Sequence, residues 1–362
     1  MEAIPSRRSP LSNYRGGEVT SGTSFTNLFR EILLAVGMIA LLIGGLYAHT
    51  GTMPPLVVVE SSSMIHDEQG EIGSIDAGDL ILVQKTEFES IVTFAEATDE
   101  NNRYFGYEQH GMEGDVIIFK KGGADGTTPI IHRAILKVVA NSTSIPDRQN
   151  YSDPDTIDSI ACPQGGVFDE RTVGMDGVLG ACVHTWDVPG TNVVNAEVIN
   201  ISFDGMNAGY YDCKRPTHAG IEAYLEVSDW SPRQAGFLTL GDNNKCSADQ
   251  GNDAVRYSSG LSSPNGGVID AVQDDWLVGR AAGEIPWLGV VKLMVSGANS
   301  PGTDFVPRSS FMSLFGVIGL ILVMPSVVDP ILKRIMDGSP EFEEAKHEIA
   351  MNRVVEALKE DE

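Results

Sequence analysis

The side chains in this chain that could do chemistry are a serine cluster, one histidine set in a strand and two aspartates. Glu60-Ser61-Ser62-Ser63-Met64 follows an apolar run, Leu56-Val57-Val58-Val59, that reads as a buried strand behind Pro54-Pro55. Serines at the point where a rigid strand gives way to a loop are well seated for nucleophilic attack. A hydroxyl attacks only if a base takes its proton, and histidine does this at neutral pH, best when an acid orients it. Among seven histidines, His132 alone is embedded in an apolar strand and followed by an arginine, in Pro129-Ile130-Ile131-His132-Arg133-Ala134-Ile135-Leu136. Asp242, in Gly241-Asp242-Asn243-Asn244, and Asp249 follow a further apolar strand, Phe237-Leu238-Thr239-Leu240. Taken singly, each has a plainer reading: three serines make a turn, a strand histidine is a satisfied structural residue, Asp242 is a turn residue and Asp249 a solvated loop acid.

The elements that must position these residues are strands and turns. Gly78-Asp79 leads into Leu80–Val83, Gly114-Asp115 into Val116–Phe119, and Trp276–Arg280 and Val290–Met294 supply two more strands. The core is therefore expected to be mainly β. Two stretches interrupt it, at about 86–113, which is polar and aromatic without a clear period, and at about 141–231, which is rich in Gly and Asp. The second is long enough to fold as a small subdomain and carries Cys162, Cys182 and Cys213. With Cys246 these could form two disulfides in any of three pairings, and no C-x-x-C spacing points to a zinc ribbon.

Two segments bear on the compartment. Ile32–Ala48 and Phe311–Val328 are apolar without a charge, each close to the length of a bilayer crossing. The first lacks a clean small-x-small cleavage site and reads as an uncleaved anchor. Arg7, Arg8, Arg15 and Arg30 precede it and Lys333-Arg334 follow the second, so the positive-inside rule places both termini in the cytoplasm. The expected organisation is a disordered cytoplasmic stretch over 1–30, a transmembrane helix over 31–49, an exterior β domain over 50–308, a second transmembrane helix over 309–329 and a cytoplasmic amphipathic helix over 330–362. Three sequons, at Asn141, Asn150 and Asn200, fall in the exterior part. A formal net charge of -25 repels nucleic acid and anionic headgroups and argues against either as a ligand.

In chain order, Glu60–Met64 with Gly78-Asp79-Leu80, Gly114-Asp115-Val116, Ile131-His132-Arg133, Gly241-Asp242-Asn243-Asn244 with Asp249, and Val278-Gly279-Arg280-Ala281 through Ile285-Pro286-Trp287 resemble the successive boxes of type I signal peptidase, in its archaeal and endoplasmic-reticulum version. The resemblance implies a signal-peptidase-like β catalytic domain flanked by two transmembrane helices, with a large insertion. It implies Ser63 as nucleophile and His132, where bacterial relatives have lysine, as general base. Asp249 and Asp242 are the supporting acids, with Asp253 as the alternative to Asp249. By the same resemblance the oxyanion is met by the backbone N–H of Ser63 and the hydroxyl of Ser61. The chain departs from the family at Ser62, where glycine is usual, and at Ile65-His66-Asp67, where a proline is often found.

The implied activity is a membrane-bound serine endopeptidase removing signal peptides from exported preproteins at the extracytoplasmic face of the cell membrane, with no metal or organic cofactor. The substrate would lie extended beside Leu56, Val57, Val58, Val59 and Glu60, with Met64 nearby. Partners implied are signal peptides, the lipid bilayer and the protein-export translocon. A narrow-clientele processing protease of the same family, using the large insertion for recognition, and a catalytically silent membrane-anchored surface protein are the alternatives.

Overall fold

The computed structural model describes residues 23–144, 183–214, 222–264, 266–296, 303–337, 347, 348 and 351. Cys162, Cys182, the Asn150 sequon, most of the N-terminal stretch and most of the expected tail helix lie outside them. Along the chain come α1 (Thr23–Thr50), β1 (Leu56–Val58), β2 (Leu80–Gln84), α2 (Phe94–Thr98), β3 (Glu108–Gln109), β4 (Met112–Glu113), β5 (Val116–Phe119), β6 (Ile130–Ser144), β7 (Val183–Asp187), β8 (Ile199–Ser202), β9 (Glu226–Trp230), β10 (Gly236–Leu240), β11 (Leu277–Ile285), α3 (Gly289–Val295) and α4 (Arg308–Asp337).

Two of these helices, α1 and α4, are long and apolar enough to cross a membrane. At about 1.5 Å per residue each exceeds the ~30 Å of a hydrocarbon core. Their large apolar side chains, among them Leu33, Met38 and Leu41 in α1 and Met312, Leu320 and Leu322 in α4, are exposed, as fits a membrane protein. The second helix was expected to stop at 329 but runs on to Asp337, with Pro325 and Pro330 inside it. An interior proline removes one backbone donor, and apolar spans tolerate that loss better than helices in water.

Seven strands pair antiparallel in the order β1-β2-β11-β5-β6-β10, with β7 also on β6. Inserting β11 between β2 and β5 brings the C-terminal box of the domain beside the N-terminal one. In β5 all four residues are buried, because the sheet is covered on both faces. Val116 and Ile118 pack with Val59, Met64, Ile81 and Val83, while Ile117 and Phe119 pack with Ile91, Ala134, Phe237 and Val272.

Three expectations are corrected. The run Val290–Met294 is helical: Gly289, Val290 and Leu293 are buried on one stripe of α3, while Val291 and Met294 are exposed. Four apolar residues interrupted only by Lys292 fit either period, and only the packing partners decide. The segment 86–113, read as an interruption of the β core, contributes to that core: Ile91, Val92, Phe94, Ala95 and Ala97 are buried and Thr93 closes a capping box with Glu96 at the start of α2. The described part of 141–231 is not a separate subdomain either. Trp186, Phe203, Tyr211 and Trp230 share one apolar cluster with Leu136 and Val138 of β6 and Leu238 of β10. Cys213 pairs with Cys246, which ties this segment to the loop between Asp242 and Asp249.

Candidate active site

Ser63 stands in the turn that follows β1, His132 on β6 and Asp249 just beyond β10. Pairing of β10 with β6 sets Thr239 opposite Ala134 and Leu240 opposite Arg133, past a bulge at Leu238/Thr239. Asp249 folds back along β10, its N–H donating to the Thr239 carbonyl at 3.0 Å. The consequence is a continuous line of hydrogen bonds. His132 Nδ1 lies 2.7 Å from Asp249 Oδ2 and His132 Nε2 lies 3.0 Å from Ser63 Oγ. A carboxylate accepts, so Nδ1 donates to Asp249 and Nε2 presents its lone pair to the Ser63 hydroxyl. Thr239 Oγ1 donates to the same Asp249 oxygen at 2.7 Å. His132 and Asp249 are 4% and 2% exposed, whereas Ser63 is half-buried at the surface where a substrate could reach it. Asp253, the alternative acid, is exposed. Ser61 Oγ lies 3.1 Å from Ser63 Oγ, within hydrogen-bond reach.

Asp242 does not touch His132. Its carboxylate is gripped by Arg133, from Nε to Oδ1 at 2.9 Å and from Nη2 to Oδ2 at 2.7 Å, and by His66 Nε2 at 2.8 Å. Burial alone would push its pKa up, but the guanidinium and the imidazole hold it well below the ordinary carboxylate range. Arg133 is itself fully buried, and its Nη1 donates to the carbonyls of Gln109, Met112, Glu113 and Gly114, so the charge is paired and its donors are used. The next residue, Asn243, binds the Ser63 turn directly. Its N–H donates to the Ser63 carbonyl at 2.7 Å and its Nδ2 to the Ser62 carbonyl at 2.9 Å. Gly241 has to be glycine here, because a Cβ would stand 2.7 Å from the Ser63 carbonyl oxygen and 2.8 Å from His132 Nε2.

Below the turn, Val59 and Gly78–Asp79 exchange backbone bonds, Val59 N to Asp79 O at 3.0 Å and Gly78 N to Val59 O at 2.9 Å. Asp79 accepts from Trp287 N and Asp76 N, and Asp76 accepts from Glu71 N. One oxygen of Asp76 and one of Glu284 are buried with no hydrogen-bond partner. Burial, with the charges of Asp79, Glu284 and Glu71 nearby, pushes Asp76 up to about 7. Burial also pushes Asp79 up to about 6, against the N–H bonds from Trp287 and Asp76. Between about pH 4 and 7 the folded chain therefore binds more protons here than the unfolded chain does. The stability from this cluster is full at the acid end and lost as pH rises through that window. Asp76→Asn cannot ionise, and it should raise the thermal midpoint by a few degrees at pH 8 while changing it little at pH 4. Unfolding scans at the two pH values check this; equal midpoints at pH 8 would contradict it.

Of the residues expected to meet a substrate, Leu56, Val57 and Val58 form β1, which among the described residues has a partner, β2, on one side only. They are half-buried rather than fully buried, as suits an edge strand. Pro55 and Val59 direct their backbone groups to the β2 side. By alternation the N–H and C=O of Leu56 and Val58 face the open edge. Val59 and Met64 are buried in the core and do not line a surface, and Glu60 is ion-paired with Lys292 of α3 at 2.6 Å. Met64 is therefore a core anchor for the turn. Among the described residues no group of three His, Cys, Asp or Glu is arranged to hold a metal ion.

Reading the sequence missed the roles of Thr239, Asn243 and His66. Asn243 and His66 were within reach, one beside Asp242 and the other two residues after Met64; Thr239 looked like any strand residue. In comparisons with known proteins, no family model, no curated protein and no solved structure matches the chain.

Proposed function

We propose that the protein is a membrane-anchored serine endopeptidase of the signal-peptidase type, removing signal peptides from exported preproteins. The observation that carries this reading is the unbroken line Ser63 Oγ, His132 Nε2, His132 Nδ1, Asp249 Oδ2, with the acid and base buried and the hydroxyl accessible. In this reading Ser63 Oγ attacks the scissile carbonyl as its proton passes to His132 Nε2. Asp249 stabilises the resulting imidazolium and fixes the ring's orientation. The imidazolium then protonates the leaving amine, which departs as the new N-terminus of the mature protein. Water, deprotonated by the same nitrogen, releases the signal segment from Ser63 as a carboxylate.

The open edge of β1 supports an extended substrate, whose backbone would pair with Leu56 and Val58 a few residues from Ser63. Two apolar helices long enough to cross a bilayer support placing the reaction beside a membrane, and the flanking basic residues support an extracytoplasmic catalytic domain. Full-length protein in detergent should cut a labelled preprotein once, after a small residue that closes its apolar leader. An intact preprotein after prolonged incubation would overturn the reading.

A further inference from the structure

We infer that His66 is a positioning residue for the nucleophile: clamped to Asp242, its ring fixes the far side of the turn that carries Ser63. The inference rests on the reading of Ser63 as nucleophile.

The clamp has a rigid base. Asp242 is 1% exposed and held by three bonds from Arg133. Arg133 is anchored in turn to carbonyls on the β3–β4 hairpin and the turn after it. Because Asp242 is held ionised it can only accept, so His66 Nε2 must be the donor, and it can donate whether the ring is neutral or charged. The ring is also confined, since a Cβ on Gly111 would lie 2.9 Å from His66 Nδ1. Asn243, the neighbour of Asp242, holds Ser62 and Ser63 by their carbonyls. One dipeptide, Asp242-Asn243, thus grips the turn on both sides of Ser63: through backbone oxygens at 62 and 63, and through a side chain at 66. Without His66 the dipeptide keeps only the first grip; Met64 and Ile65 still anchor the turn in the core, but its outer side is released and Ser63 Oγ gains freedom relative to His132. A displacement of about 1 Å at a reacting atom costs up to about a hundredfold in rate. The buried Asp242–Arg133 pair stays intact, so the fold should survive.

His66→Ala is expected to lower kcat on a peptide with an apolar leader ending in Ala-x-Ala by about ten- to a hundredfold, with KM within about twofold. His66→Gln, whose amide can donate to Asp242, should recover much of the loss. His66→Leu, which fills the space but cannot donate, should not. Recovery by Leu but not Gln, or parental kcat in His66→Ala, would overturn the inference. Hydrogen exchange over residues 60–66 reads the clamp without reference to cleavage and should quicken in His66→Ala. Unchanged exchange would likewise overturn the inference. If exchange responds but the parent protein cleaves nothing, the clamp stands and the peptidase reading falls.

Discussion

Ser63→Ala is expected to abolish cleavage, with a loss of at least about 10⁴-fold in kcat, while leaving the protein folded. The hydroxyl's two contacts are with His132 and Ser61, both part of the site itself. The turn is held by other groups, the Ser62 and Ser63 carbonyls on Asn243, Met64 in the core and His66 on Asp242, and all of them survive the substitution. Ser62→Ala is the matched control: its carbonyl does the structural work and its activity should stay within a few-fold of the parent. Initial rates on a labelled preprotein, with circular dichroism to confirm folding, check both. Parental activity in Ser63→Ala would remove the nucleophile from the scheme.

Two aspartates close together in sequence should fail in different ways. Asp249→Asn keeps the shape but places an amide against His132 Nδ1, favouring the tautomer with its proton on Nε2. The lone pair that should receive the Ser63 proton is then gone, and kcat should fall by about 10³–10⁴-fold with the fold retained. Asp242→Asn instead leaves the Arg133 guanidinium buried without its counter-charge. Removing one partner of a buried pair costs about 3–5 kcal/mol, so that variant should lose activity chiefly by unfolding. Thermal midpoints measured beside initial rates separate the two outcomes. A stable, inactive Asp242→Asn with an active Asp249→Asn would reverse the roles assigned here.

Ser63 and His132, which the fold brings together, were legible in the sequence because each sits in a sharp local context: Ser63 at a strand end before a polar loop, His132 alone in an apolar strand. The acids were not separable. Asp242, Asp249 and Asp253 all follow β10 within one Gly- and Asn-rich stretch. What selects Asp249 is its return along β10 to the Thr239 carbonyl, a long-range pairing with no local signature. Met64 looked like a substrate contact from its place beside the serines, yet the turn sends it into the core against Val59 and Ile81. The helix α3 was misread because a short Val-rich run carries no period. The insertion's place in the core was hidden because its apolar residues are scattered, and only the fold gathers Trp186, Phe203 and Tyr211 onto β6 and β10. His66 eluded the reading for a related reason, since its partner Asp242 lies far along the chain and a histidine in a polar loop does not announce one.

The central claim is that Ser63 becomes acylated by the segment that is cut away. Full-length protein mixed with an Ala-x-Ala preprotein, quenched in acid during turnover and digested for mass spectrometry, tests it most directly. The expected result is an adduct on the peptide containing Ser63, heavier by the mass of the signal segment less one water, and absent from Ser63→Ala. Turnover accompanied by an adduct on another residue would contradict the claim, as would a Ser63→Ala protein that still forms the adduct.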